Sequence, residues 1–396
     1  MNIKIQKESL LEWGLIAIGF LVPLVFFSSL EWNPEKSTRE FMNKFFGADV
    51  WRVLENLKDT DEISHHRDNV HPYFSLFAVS TAQLGAFLFG IGSEFGTYRN
   101  VFGTLGAFFF WYYLYKKTDA LSAFAALSLL LSTMTVRVWS VVPETFLFGF
   151  FTLMIALNAA RLNWNPIFVA ITSLSGTITN VFFGLLYAYK RFKLSKNLVL
   201  FVFSSALICL FLSLLQRNIY PSSVHFFDFL LLKGEAMFVK RVLSDIPFRI
   251  FDFIFSGFVL PIQARQSLPI MSKPVWLEFF YGENIELRSK VAVYSSLALV
   301  SLLIVSATFK IWREKINDNC LMLIVGFLVF QLMLHCAYGD TPFLYSYHFL
   351  PFIIIFMTQF QSGIWRKICP FLLVALAVAI QEVNLAHYGT FKSLFF

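Results

Sequence analysis

The sequence predicts an all-α, polytopic transmembrane fold, and three observations lead there. Hydrophobic residues make up 57% of the chain and charged residues 14%, against roughly 25% charged in an ordinary soluble domain. Apolar stretches of about 20 residues, the length that carries a helix across a bilayer, recur from end to end. Only a helix satisfies its own backbone while crossing alone, and the runs are too long and too uniform for barrel strands. About ten to eleven membrane helices are expected on this reading.

The first run, Leu10 to Leu30, is longer than a signal-peptide core and lacks a small-residue cleavage site, so it reads as a retained helix. Lys4 and Lys7 precede it and place the N-terminus in the cytoplasm. In the loop 31–71, Ser37-Thr38-Arg39-Glu40 has the S-x-x-E pattern of a capping box. Phe41, Met42, Phe45, Phe46, Val53, Leu54 and Leu57 then recur at three-to-four spacing. That pattern predicts amphipathic helices lying on the membrane surface, with Asp49, Arg52 and Asn56 on the other face. Pro72 is expected in the first turn of the next helix.

Two stretches are too short for their apolar content. Residues 72–115 hold two apolar runs between an outer and an inner loop, so 72–92 is expected to be re-entrant. Residues 164–190 must go up and back, which predicts two short helices meeting near "SGTITN", with Gly176 and Asn180 at the break. The stretch 217–289 mixes Phe-rich pieces with polar turns and reads as an interfacial cap. The organisation expected is a transmembrane module over 1–220, a cap over 221–289 and C-terminal membrane helices over 290–396.

The net charge of +7 has a membrane explanation. Lys116-Lys117, Lys190 to Lys196, Lys310 to Lys315 and Arg366-Lys367 sit in short loops that alternate with less basic ones, as the positive-inside rule expects. Nucleic acid is therefore not implied as a partner. No nucleotide-binding glycine loop, metal-ligand spacing or disulfide framework is visible, and no cofactor is expected.

Against this sparse background, residues 58–71, "KDTDEISHHRDNVH", carry nine ionisable side chains. His66, Arg67 and His71 stand just before Pro72. An arginine there can clamp two phosphate oxygens, and histidine adds a further bond; the alternative is a polar collar at headgroup level. Asp49, in "FFGADVWRV", is a candidate general base above the bilayer, or else a solvated carboxylate. Glu144 opens the apolar run of "PETFLFGFF", where it either touches substrate or complements the helix dipole. Asn180 is either a substrate contact or glue between helices. Tyr345 and His348, in "LYSYHFLPF", stand at the mouth of a late membrane run, where an aromatic belt is the ordinary reading for the tyrosine. Under the charge-based topology all of these residues meet the outer boundary of the membrane, with membrane lipid as neighbour.

In order along the chain, these features resemble the GT-C superfamily of integral-membrane glycosyltransferases. The resemblance rests on a single helix, a long outer loop bearing Asp49, His71-Pro72 entering an apolar run, "PETFLFGFFTLMIAL", "TITN" and "FLYSYHFLPFIIIF". It implies a GT-C-type fold and inverting transfer of a sugar from a polyprenyl-phosphate donor to a glycan or lipid acceptor. The active site would face the extracytoplasmic side, of a bacterial inner membrane for so compact a chain. It implies Asp49 as base, His66, Arg67 and His71 at the donor phosphate, and Glu144, Asn180, Tyr345 and His348 around the substrate. Many members carry an Asp-Glu pair soon after the first helix; here Val50 follows Asp49, and Asp61-Glu62 is the alternative source of the base. The double-acidic metal motif is absent, which implies metal-independent transfer. A lipid-linked-glycan flippase and a polymerase or ligase using a lipid diphosphate donor are the competing readings.

Overall fold

A computed structural model describes residues 2–30, 50–58, 70–90, 93–225, 228, 239, 246–258, 287–314, 319–338, 345–359 and 361–395. Among these the structure is helical, with one isolated bridge between Val239 and Tyr338. Five described helices are long and apolar enough to cross a membrane: Leu10–Ser29, Lys196–Ile219, Val291–Glu314, Cys320–Ala337 and Gly363–Asn384. A sixth is reached if Ser75–Phe89 and Glu94–Tyr115, bent by 120°, form one broken span. The chain is thus an all-α polytopic membrane protein, with fewer full-length spans among the described residues than the ten or so expected. Helix length is the reason. Phe146–Arg161 has 16 residues, so it is about 24 Å long against a hydrocarbon core of about 30 Å.

In chain order the helices are α1 (Asn2–Ser29), α2 (Val50–Lys58), α3 (Ser80–Phe89, continuing a π-helical turn Ser75–Val79) and α4 (Glu94–Tyr115). There follow α5 (Ala120–Ser132), α6 (Met134–Trp139), α7 (Phe146–Arg161), α8 (Pro166–Gly176), α9 (Val181–Phe192) and α10 (Lys196–Ile219). The last are α11 (Ile246–Phe255), α12 (Leu287–Glu314), α13 (Asn319–Ala337), α14 (Ser346–Gln359) and α15 (Gly363–Phe395). Local signals start several of them. Asp119 accepts from Ser122 N at 2.8 Å and caps α5, while Asn165 accepts from Ile167 N at 2.9 Å with Pro166 in the first turn of α8.

The short pair expected over 164–190 is present as α8 and α9, joined by a 3₁₀ turn Ile178–Asn180. Small residues let them close: a Cβ on Gly184 would stand 2.3 Å from Ala170 Cα. The two apolar runs of 72–115 likewise fold back on each other, since a Cβ on Gly85 would stand 2.1 Å from Thr97 Oγ1. Helix α14 is the axis of the bundle. Every residue from Ser346 to Ile355 is buried, and α5, α7, α12 and α13 pack around it. Helix α10 is the opposite case, with Leu200, Phe203, Leu207, Phe211 and Leu214 all exposed along one stripe. Such a stripe suits lipid as solvent and not water.

Two sequence expectations are corrected. Helix α2 does not lie on a surface with a solvated polar face: Arg52 and Asn56 are buried along with Val53, Leu54 and Leu57, and the helix packs on α3 and α4. Pro72 does not open a helix. Phe74 N donates to His71 O at 3.2 Å, closing a β-turn with Pro72 and Tyr73 at its centre. Tyr73 takes the left-handed conformation, φ 63°, which costs a non-glycine residue roughly 1–2 kcal/mol. Burial and a hydrogen bond from its hydroxyl to Cys209 O on α10, 3.1 Å, hold it there.

Candidate functional site

The turn at Tyr73 aims His71 inward. His71 Nδ1 lies 3.1 Å from Gly176 O and 3.2 Å from Thr145 Oγ1. A carbonyl only accepts, so Nδ1 carries a proton and donates to Gly176 O; Nε2 offers a second donor to a ligand only when the ring is the imidazolium. A second stitch, Ile178 N to Val70 O at 2.9 Å, fixes this loop against the turn between α8 and α9.

That turn also seats the start of α7. A Cβ on Gly176 would stand 2.4 Å from Gly149 Cα, so the two backbones are in direct contact. Gly149 in turn faces His348: a Cβ there would stand 2.6 Å from Nε2. The Phe146 ring meets His348 and Tyr345 edge-on, with centroids 5.8 and 6.0 Å apart. Glu144 is buried, and its Oε2 accepts from Thr145 N at 3.1 Å. Tyr98 of α4 clamps the same corner. Its hydroxyl donates to Glu144 O at 2.8 Å and accepts from Phe148 N at 3.2 Å, satisfying one of the amides that a helix start leaves open.

On the far side of the turn, Asn180 Oδ1 accepts from Gln331 Nε2 of α13 at 3.3 Å, and Gln331 Oε1 lies 3.1 Å from His335 Nε2. The His335 ring stacks on Tyr345, with centroids 4.7 Å apart. Arg249 of α11 donates to His335 O at 2.8 Å, and Phe253 stacks on Phe349 at 4.0 Å. Asp252, on the same helix and outside the membrane-length helices, is buried. Desolvation pushes its carboxyl up to about 6, against the lowering influence of the Ser256 hydroxyl and the Arg249 guanidinium.

Of the residues expected from the sequence, His71, Glu144, Asn180, Tyr345 and His348 therefore come together at one end of the bundle. Asp49, His66, Arg67, Asp61 and Glu62 lie outside the described residues. Thr145, Tyr98 and Gln331 were not expected there; Arg249 was expected only as one of several outer cations, and His335 only as a polar residue without a role. Gln331 and His335 carry a sequence signal: polar residues four apart in an apolar run share one helix face. Among the described residues no group of three or more His, Cys, Asp or Glu side chains is placed to hold a metal ion.

No protein-family model, curated protein or solved structure matches this chain. The reading of the site rests on its own geometry. Buried imidazoles, amides and a carboxylate, framed by aromatic rings, can orient hydroxyl groups and stabilise an anion.

Proposed function

We propose that the protein is an inverting glycosyltransferase of GT-C type, moving a sugar from a polyprenyl-phosphate donor to an acceptor outside the cytoplasm. One observation carries the proposal. Five residues drawn from the 70s, 140s, 180s and 340s meet at one end of the bundle, while the basic groups Lys116, Arg161 and Arg191 sit at the other. By the positive-inside rule the basic end faces the cytoplasm, so the site faces away from it.

In the reaction, the Asp49 carboxylate takes the proton of an acceptor hydroxyl. The oxygen attacks the anomeric carbon from the side opposite the phosphate, and the carbon–oxygen bond to the lipid phosphate breaks with its electron pair leaving on phosphate. Arg67, His66 and His71, the last as an imidazolium donating from Nε2, stabilise that developing charge, a role in which one donor is worth about 10²–10³ in rate. Glu144 and Asn180 orient hydroxyls, and Tyr345 and His348 wall the substrate.

Transfer from a polyprenyl-phosphate sugar is the test, using the full chain in vesicles. Asp49→Asn is expected to abolish transfer and keep donor binding; full activity in that variant moves the base to Asp61 or Glu62. Solute movement across the vesicle without a new glycosidic bond, or activity with a diphosphate donor alone, overturns the proposal.

A further inference from the structure

Inside the apolar run of α13, Gln331 and His335 are one turn apart and fully or almost fully buried, as is Asn180 opposite them. Gln331 uses one end of its amide on His335 Nε2, at 3.1 Å, and the other on Asn180 Oδ1, at 3.3 Å. Asn180 is then left with Nδ2 buried and without a hydrogen-bond partner among the described residues. Turning both amides over exchanges donor for acceptor but leaves the same position unfilled, because Gln331 bridges only once.

A buried polar group without a partner is destabilising, and polar side chains within membrane bundles are costly to keep. An apolar residue at position 180 would avoid that cost. The unfilled amide end instead belongs to the turn that contacts the His71 loop through Ile178, and its hydrogen bonds lead through Gln331 to His335, whose ring stacks on Tyr345. A hydroxyl group fits such a position in either amide orientation, since it both donates and accepts. A sugar ring adds the apolar C–H surface that the aromatic rings favour.

We infer that Asn180, Gln331 and His335 form a hydroxyl-binding subsite for the sugar. Asn180 makes the contact, Gln331 holds the Asn180 amide in place, and His335 holds Gln331. The choice of a sugar as ligand rests on the transferase reading above; the open amide does not.

The test pairs two readouts on the full-length protein in detergent micelles. Methyl glycosides of glucose, mannose, galactose and arabinose serve as probes in saturation-transfer NMR, and sugar transfer from polyprenyl-phosphate donors is followed in parallel. At least one glycoside is expected to receive saturation from the wild type. Asn180→Ala and Gln331→Leu should weaken it about fivefold, the value of one hydrogen bond of about 1 kcal/mol. Asn180→Asp has nearly the same shape with the NH₂ replaced by oxygen, and repeats the comparison if the alanine variant does not fold. Equal saturation in wild type and variants, or none in either, overturns the subsite. Saturation lost in the variants, with no transfer by the wild type from any polyprenyl-phosphate donor, keeps the subsite and overturns the transferase reading. Transfer with an unchanged KM in Asn180→Ala does the reverse.

Discussion

At one end of the bundle Lys116 reaches Glu12 at 2.5 Å across exposed surface, and Arg191 donates to the carbonyls of Asn163 and Trp164 at 3.0 Å. At the other end Asn180, Gln331 and His335 bond to one another in near-complete burial. Helix α7 runs between the two, from the Glu144–Thr145 corner to Arg161. The contrast separates two uses of polar residues. Exposed cations cost little to place and contribute little stability, about 0–1 kcal/mol each; they set orientation in the membrane. Buried amides and imidazoles are expensive to desolvate, and two of these, Asn180 at Nδ2 and His335 at Nδ1, are incompletely satisfied among the described residues. Stability alone does not account for the second group.

Four substitutions sharpen or break that contrast, in falling order of effect. His71→Ala should lower sugar transfer by about 10²-fold or more, by analogy with loss of one donor to a developing oxyanion. A loss under fivefold would remove His71 from the chemistry. Gly176→Ala drives a methyl group into the Gly149 backbone and should destabilise the fold by about 3 kcal/mol. Thermal unfolding in micelles measures it, with Gly96→Ala as control, where a Cβ meets nothing within 4 Å. An unchanged midpoint for Gly176→Ala would mean that the α7–α8 contact is loose.

The third substitution tests burial through pH. Asp252 ionises at about 6 in the folded chain against 3.8 ordinarily. The unfolded state therefore gives up this proton first, so stability falls as pH rises from about 4 to about 6 and then levels off. Asp252→Asn should remove that slope and gain on the order of 2 kcal/mol over the wild type at pH 7. Below about pH 4 the two should converge. Unfolding midpoints at pH 4, 5.5 and 7 decide it, and a constant difference would place Asp252 in contact with solvent. Last, Lys116→Ala should cost under about 1 kcal/mol. Salt should erase most of that cost, because the pair is exposed and the hydrogen bond that Lys116 donates to Glu12, which raises the ammonium, is barely opposed by burial.

The sequence was most informative where a backbone signal marked a position. Gly176 and Asn180 in "SGTITN" announce the break between two short helices over 164–190. Apolar periodicity announced α2 but not its surroundings. A helix with polar and apolar faces looks the same whether the polar face meets water or protein, and here Arg52 and Asn56 are covered. His71, Glu144, Asn180, Tyr345 and His348 stood out as polar residues at the edges of apolar runs. Gln331 did not, and His335 stood out only as a polar residue without a role, because a polar residue inside a run does not reveal which distant helix it faces; Asn180 is 151 positions from Gln331. The contact between Gly149 and Gly176 was equally hidden, since close approach is a property of two segments and not of either glycine.

The loop that presents His71 is tethered to α10 at several points: Tyr73 to Cys209, Leu76 N to Gln216 Oε1 at 3.1 Å, and Ser80 to Tyr220 at 2.9 Å. Helix α10 is also the element whose Leu200–Leu214 stripe is exposed, an apolar face suited to acyl chains. Extraction from the native bilayer therefore acts on this tether directly. If the protein transfers sugar as proposed, harsh, short-chain detergents should abolish transfer well before the remaining helices come apart, and added phospholipid should restore it.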